Sequence, residues 1–272
     1  LLMPAAGVER VARDKRVAAM TLTGSEPAGR ALAAIAGSEV KPVVLELGGS
    51  DPFIVTPSAD LDAAISTAVT ARTSNNGQAC INAKRFIVHD DVYDTFVDRF
   101  TTAMAALVVG DPFDERTDIG PLATESGRLD IEELVVDARN KGATVMTGGV
   151  IPHGNGWYYP PTVVAGVTPE MRLFTEEAFG PLASLYRVGD RAEALALANA
   201  TTFGLSSAVW TEDSDDEEYF VGGLAAGAVF VNGMSVSYPQ MPFGGVKDSG
   251  VGQELSWEGI RAFCNLKSVW RR

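Results

Sequence analysis

Cysteine and histidine are scarce in this sequence. Its 272 residues hold two of each: Cys80 and Cys264, His89 and His153. Two cysteines are too few for a disulfide framework, and the number suits a reducing, cytoplasmic setting. No Cys-x-x-Cys pair or Cys/His cluster occurs, so no metal site of ordinary spacing is expected. Basic residues are outnumbered, with 22 Lys and Arg against 35 Asp and Glu, a formal net charge of −13. That sign is wrong for a phosphate backbone or an anionic lipid surface, so neither nucleic acid nor a membrane is an expected partner. No apolar run is long enough to span a bilayer. The opening Leu1-Leu2-Met3-Pro4 lacks a basic stretch followed by an apolar one. It reads neither as a signal peptide nor as a natural beginning.

What is present is a chain able to build a core. Hydrophobic residues make up 46% and charged residues 21%, which excludes a disordered, collagen-like or coiled-coil chain. Strand and helix patterns alternate along most of it. Strands are expected at 17–23, 41–47, 85–89, 143–147, 182–188, 205–211 and 228–232. The last is bounded by Gly227 and Gly233, as a buried parallel strand would be. Helices are expected at 28–36, 60–73, 92–108, 124–141, 191–200 and 213–224, with Phe96 and Phe100 one turn apart in the third. A further helical stretch near 257–269 closes the chain. Such alternation predicts an α/β fold with mostly parallel sheets. No internal repeat or low-complexity linker divides it.

Five segments stand out chemically. Thr23-Gly24-Ser25-Glu26-Pro27-Ala28-Gly29 follows a strand and precedes a helix, where free backbone N–H groups can hold a phosphate. On pattern alone, a plain strand-to-helix turn capped by Ser25 is the stronger reading. Leu45-Glu46-Leu47-Gly48-Gly49 puts a carboxylate at the end of an apolar strand. Such a Glu is either a desolvated general base or the partner of a Lys or Arg. Asn75-Asn76-Gly77-Gln78-Ala79-Cys80 displays a thiol on a polar bend, as a nucleophile would be, whereas Cys264 lies in a helical stretch and reads as packing. His89, nine residues on, is either the partner of a Cys–His dyad or a surface histidine at a strand end. Glu176-Glu177-Ala178-Phe179-Gly180-Pro181 offers paired carboxylates for a metal or a ribose, or merely a solvated turn. Pro242-Phe243-Gly244-Gly245-Val246-Lys247-Asp248-Ser249-Gly250 is either a loop that approaches a ligand or a long connection. The acidic run Glu212 to Glu218 reads as a solvated helix start.

Together, and in this order, these five segments resemble the aldehyde dehydrogenase superfamily, and its bacterial succinate-semialdehyde dehydrogenase branch in the wording LELGGSDPFIV. The resemblance implies an aldehyde-dehydrogenase-like catalytic domain with a mostly parallel sheet, plus a partial Rossmann-like cofactor domain. The implied division is 1–48 for the remnant of the dinucleotide-binding domain, 49–247 for the catalytic domain, and 248–272 for a C-terminal helix and oligomerisation segment. It implies NAD or NADP as cofactor, a small-molecule aldehyde as substrate and a homo-oligomer. Cys80 is then the nucleophile that adds to the aldehyde, and Glu46 the base that activates the water releasing the acid. Gly24 and Ser25 contact the pyrophosphate, and Leu47 lies beside the nicotinamide. Glu177 holds the nicotinamide ribose and Phe179 packs against it. Ser237 stands where a serine meets the substrate carboxylate, and Asn82 where some relatives have a second cysteine. Arg72, near the nucleophile loop, reads as part of a helix-surface salt bridge.

The resemblance also implies a long portion ahead of the TGS turn, which carries an oxyanion-hole Asn. The chain therefore reads as the C-terminal part of a longer enzyme. Two other functions stay open at this point: a non-catalytic folded oligomerisation module, and a cysteine esterase that needs no cofactor.

Overall fold

The computed structural model describes residues 3–272, so the reading of the start at Leu1 and Leu2 lies outside the described residues. The chain forms two compact units, Leu1–Gly48 with Val236–Arg272, and Gly49–Ser235. The first begins with helix α1 (Val8–Ala12), strand β1 (Met20–Thr23), helix α2 (Glu26–Ser38) and strand β2 (Val43–Glu46). The second holds β3 (Asp51–Val55), α3 (Leu61–Thr73), β4 (Ala83–His89), α4 (Asp90–Ala105), α5 (Glu125–Asn140), β5 (Thr144–Thr147) and β6 (Thr162–Ala165). It continues with α6 (Arg172–Thr175), β7 (Leu182–Val188), α7 (Arg191–Asn199), β8 (Ala208–Trp210), α8 (Ser214–Gly223) and β9 (Phe230–Val231). The chain then returns to the first unit with β10 (Gly250–Val251) and α9 (Ser256–Ala262).

The second unit is built on a seven-stranded sheet of order β5-β6-β7-β4-β3-β8-β9. Only the β5–β6 pair is antiparallel. Successive side chains on its inner strands feed two separate cores, as the two-residue period of a strand requires. Phe53 and Val55 of β3, and Phe86 and Val88 of β4, join a core with Ala64 and Ala68 of α3 and Phe96 and Phe100 of α4. Ile54 and Ile87 face the other way, with Leu134 and Val135 of α5, Ala194 of α7 and Phe220 of α8. The Phe96 and Phe100 rings lie 5.4 Å apart, and Phe100 lies 4.8 Å from Phe86. This is an α/β layer with helices on both faces, the arrangement that mostly parallel sheets demand.

Helix starts follow the expected chemistry. Asp60 accepts from Ala63 N at the start of α3, Thr124 from Gly127 N at α5, Asp190 from Ala192 N and Glu193 N at α7, and Asp213 from Asp215 N and Asp216 N at α8. Each bond satisfies a donor that the helix leaves orphaned.

Several elements depart from the sequence patterns. The expected buried strand at 228–232 is only β9, two residues long, half-buried, at the edge of the sheet. Its flanking glycines are compatible with an edge as well as with a centre. Strands β3 and β6 carry no clear alternation because both of their faces are buried. The final helix stops at Ala262, so Cys264 lies beyond it and is exposed, not packed.

The first unit pairs β1 with β2 in parallel, and β2 with β10 antiparallel. The glycine-rich segment before the C-terminus therefore approaches backbone. Gly250 sits opposite Glu46 with φ 152°, and a Cβ there would stand 2.0 Å from the carbonyl oxygen of Leu45. Only glycine fits this position. Gly250→Ala is expected to cost about 1–3 kcal/mol of stability, read as a lower urea midpoint. An unchanged midpoint would contradict the tight β2–β10 pairing.

Candidate functional site

The loop that bears Cys80 is fixed by side-chain amides. After α3 the chain makes a short 3-10 turn, Ser74–Gly77, in which Asn75 and Asn76 take left-handed backbone angles with φ 53° and 55°. Asparagine tolerates this region better than most residues. Asn76 Oδ1 accepts from Gly120 N at 3.0 Å, and its Nδ2 donates to Pro121 O at 3.2 Å. Gln78 Oε1 accepts from Ala123 N at 3.0 Å. Gly77, at φ 72°, comes so close to Gly180 that a Cβ would lie 2.4 Å from its carbonyl oxygen. Asn82 closes the loop. Its Oδ1 accepts from Ala79 N at 2.7 Å, and its Nδ2 donates to Ala71 O and Ser74 O. Cys80 is a free, half-buried thiol just ahead of β4.

Beneath that loop lies a set of buried charges. Lys84 and Arg85 follow Ala83 at the start of β4, and each is almost fully buried. Lys84 Nζ donates to Cys80 O at 2.6 Å and to Ala79 O at 3.2 Å, and pairs with Glu177 Oε1 at 3.3 Å. Glu177 Oε1 also accepts from Gly49 N at 3.1 Å. Arg85 donates to Ser50 O, Leu197 O and Ala198 O, which ties β4 to the end of α7. Burial pushes Asp51 up to about 7; one of its oxygens accepts from Ser206 N and the other has no partner. Burial likewise pushes the Cys80 thiol up to about 11, opposed by the positive charge of Lys84 and assisted by Asp51 and Glu177.

Arg72 corrects the surface salt bridge expected of it. It is fully buried, its Nη2 donates to Gly77 O at 2.6 Å, and burial lowers its pKa to about 9. The reason is helical phase: Ile65, Ala68 and Arg72 lie on one buried stripe of α3. Sequence reasoning passed over Lys84, Arg85 and Asp51 as well. The available signal was a Lys-Arg pair opening the apolar run FIV.

The Cys–His dyad does not form. His89 is at the far end of β4, about 20 Å along a seven-residue strand. There its Nδ1 accepts from Asp91 N at the start of α4. A cavity of about 200 Å³ also opens at that end, lined by Ile54, Val55, His89, Val188, Arg191 and Phe220, and it contains no thiol.

In the first unit, Glu46 is the last residue of β2. It is buried, and neither carboxylate oxygen has a hydrogen-bond partner. Burial, with help from the charge of Glu254, pushes its pKa up to about 8. The backbone around it is pinned. Gly24 N donates to Glu46 O at 3.0 Å, Leu47 N donates to Ser249 O at 2.9 Å, and Ser249 Oγ donates to Gly48 O at 2.7 Å. Leu47 is buried in that unit's core. Ser25 occupies the capping position of α2, yet its side chain makes no capping bond and it is exposed. Ser237 is exposed as well.

Of the residues expected to meet a dinucleotide, Ser25, Glu177 and Phe179 leave a polar atom or a ring open to one, each within its own unit, while the N–H of Gly24 is committed to Glu46 O. Ser25 leaves its hydroxyl uncommitted at the start of a thirteen-residue helix, where a phosphate is favoured. Glu177 is anchored through Oε1 and is partly exposed, and Phe179 presents an exposed ring. Among the described residues no group of three or more His, Cys, Asp or Glu is placed to hold a metal, and no helix is long and apolar enough to cross a membrane.

The fold is shared with known proteins. The aldehyde dehydrogenase family model matches residues 4–269, and the chain belongs to that family. It is 64% identical over 270 residues to a succinate-semialdehyde dehydrogenase [NADP(+)] of Mycobacterium avium (strain 104), covering 99% of this chain and 57% of that protein. A protein of Mycobacterium tuberculosis (strain ATCC 25618 / H37Rv) named succinate-semialdehyde dehydrogenase [NADP(+)] 1 is 60% identical over 270 residues, with 59% of its length covered. The chain thus spans a little under three-fifths of these relatives. Among solved structures it is similar to succinic semialdehyde dehydrogenase from Streptococcus pyogenes in complex with NADP+, with a TM-score of 0.94 and 35% identity. That match covers 97% of this chain and 58% of the other. It is also similar to lactaldehyde dehydrogenase from Escherichia coli, with a TM-score of 0.91 and 33% identity, over 94% of this chain and 54% of the other.

The raised pKa of Glu46 has a consequence for stability. Its folded-state value of about 8 lies above the ordinary 4.5, so the folded protein holds an extra proton between those limits. The stability linked to this group is present below the lower value and lost as pH rises through the upper one. Glu46→Gln removes that titration. From about pH 5 to about pH 9, the variant's unfolding free energy should gain on the parent's, by up to ~1.4 kcal/mol per pH unit. Parallel curves in urea unfolding would refute it.

Proposed function

We propose that this chain carries the catalytic residues of an NADP-dependent succinate-semialdehyde dehydrogenase, which oxidises the aldehyde to the carboxylate. The observation that carries the reading is the free thiol of Cys80, held half-buried on a loop that the side-chain amides of Asn76, Gln78 and Asn82 brace. The 60–64% identity to relatives bearing that name supports the substrate and the preference for NADP over NAD.

In this reading the Cys80 sulfur adds to the aldehyde carbon as a thiolate, its proton leaving to a base. The backbone N–H of Cys80 steadies the oxyanion that forms. NADP+, when bound, supplies the acceptor for the hydride that leaves this carbon. Gly24 and Ser25 would hold its pyrophosphate, Leu47 would border its nicotinamide, and Glu177 and Phe179 would hold its ribose. Glu46 then takes a proton from water, which attacks the thioester and frees both the acid and the thiol. An acid with a pKa pushed up to about 8 suits this work, because it is deprotonated in part near neutrality and is a stronger base than an ordinary carboxylate. Ser237 orients the distal carboxylate of the substrate. The exposed apolar side chains Trp257, Ile260, Leu266 and Trp270 suit a contact between copies in a homo-oligomer.

Protein comprising this chain is expected to form NADPH from NADP+ when given succinate semialdehyde. Cys80→Ala should remove at least ~10³-fold of that rate, and Glu46→Gln about 10²–10⁴-fold. The rate should rise as pH climbs through about 8, as Glu46 ionises. NADPH formation that survives Cys80→Ala would defeat the reading. Cofactor-free ester turnover alone would favour a cysteine esterase instead.

A further inference from the structure

Lys84 has no part in the chemistry proposed for Cys80 and Glu46, yet no other cation among the described residues is built so closely into the nucleophile loop. It stands four residues after Cys80, inside the second unit, with its side chain 2% exposed. An ammonium group has three N–H donors and no acceptor. Here three oxygens surround it: Ala79 O at 3.2 Å, Cys80 O at 2.6 Å and Glu177 Oε1 at 3.3 Å. One is the carbonyl of the thiol-bearing residue, and another belongs to a carboxylate that also binds Gly49 N. A solvated lysine would not need this set, and a lysine retained only to fill space could be replaced by an apolar residue.

We propose that Lys84 is a positioning residue for Cys80: it fastens the thiol-bearing loop to Glu177 and sets a fixed positive charge against the reacting sulfur. The proposal rests on Cys80 being the nucleophile. Two physical effects follow from the geometry. The clamp on Ala79 O and Cys80 O holds the two peptide planes on either side of the Cys80 Cα, and the first of these carries the Cys80 N–H. The charge favours the thiolate over the thiol. It works against burial and against the carboxylates of Asp51 and Glu177, all of which disfavour the thiolate. Arg72 and Arg85 are the other buried cations of this region; Arg72 donates to Gly77 O and Arg85 to Ser50 O, Leu197 O and Ala198 O, and neither to Cys80 O. Lys84 and Glu177 therefore act on the sulfur with opposite signs although they are partners in one ion pair.

That opposition supplies the test. Alkylation of Cys80 by iodoacetamide reports the thiolate directly. It is measured from about pH 7.5 to about pH 9.5 in the full chain carrying Cys264→Ser, which removes the second thiol. Lys84→Met is expected to slow alkylation about tenfold at a given pH, and Lys84→Arg to restore most of the rate. Glu177→Gln is expected to speed it severalfold. A purely structural role would move Lys84→Met and Glu177→Gln in the same direction, so parallel changes, or no change in either, would overturn the proposal. If Lys84→Met does not fold, Lys84→Arg and Glu177→Gln decide it, and a Glu177→Gln rate equal to or below the parent's overturns it. Alkylation needs neither aldehyde nor NADP+. Variants that follow these directions in a protein forming no NADPH would count against the dehydrogenase reading and leave this one standing.

Discussion

A charge removed from water must be answered by its neighbours, and that constraint shapes the region around Cys80. Lys84 is answered by two carbonyls and one carboxylate. Arg85 is answered by three carbonyls, two of them in the last turn of α7. Stripping a partner from such a group typically costs about 3–5 kcal/mol. The loop, the start of β4 and Glu177 are therefore held together by more than shape. Glu177 answers Lys84 and receives Gly49 N in one place, so the start of the second unit and the segment that carries Phe179 meet at the same carboxylate.

Two buried carboxylates escape that rule. Neither oxygen of Glu46 has a hydrogen-bond partner, although the residue is buried, and one oxygen of Asp51 shares that condition. An unanswered buried carboxylate lowers stability, and it is kept where something other than stability requires it. For Asp51 the remaining oxygen is used by Ser206 N, which ties β3 to the segment before β8. Glu46 has no such structural use, while its backbone is fixed on both sides by Gly24, Ser249 and Gly250. A rigid main chain that carries an uncommitted side chain is what a proton-transfer group needs.

Much of this could be read in the sequence, for reasons that differ by element. Caps such as Asp60, Asp190 and Asp213 are local chemistry, and the helices begin beside them as the patterns predict. The strand at 182–188 is legible from end to end because turn residues bound it. Strands β3 and β6 were not, since a strand buried on both faces loses its alternation. Arg72, Lys84 and Arg85 were opaque for a related reason. Long basic side chains are usually solvated, and only the contacts of the folded chain show which of them have found buried acceptors. The helix predicted through Cys264 failed in the same sense: pattern carries a helix forward, while packing decides where it stops.

The motifs also divide by what they supply. In the run from Asn75 to Asn82, the thiol of Cys80 is the single side chain left uncommitted to a polar partner among those that carry the loop's chemistry. Asn75, Asn76, Gln78 and Asn82 are all spent on main-chain groups. The glycine-rich stretch before the C-terminus behaves likewise, since Gly250 and Ser249 serve the backbone of β2 and of the residues just beyond it. A motif of this kind is mostly a specification of backbone position, and the reactive atom is a small part of it. The aldehyde chemistry proposed for Cys80 accounts for that allocation. A sulfur must meet a planar carbonyl along a narrow direction, and a misplacement of about 1 Å is enough to cost two orders of magnitude in rate. The polar residues that look like candidates for catalysis are therefore better understood as the means by which one thiol is held still.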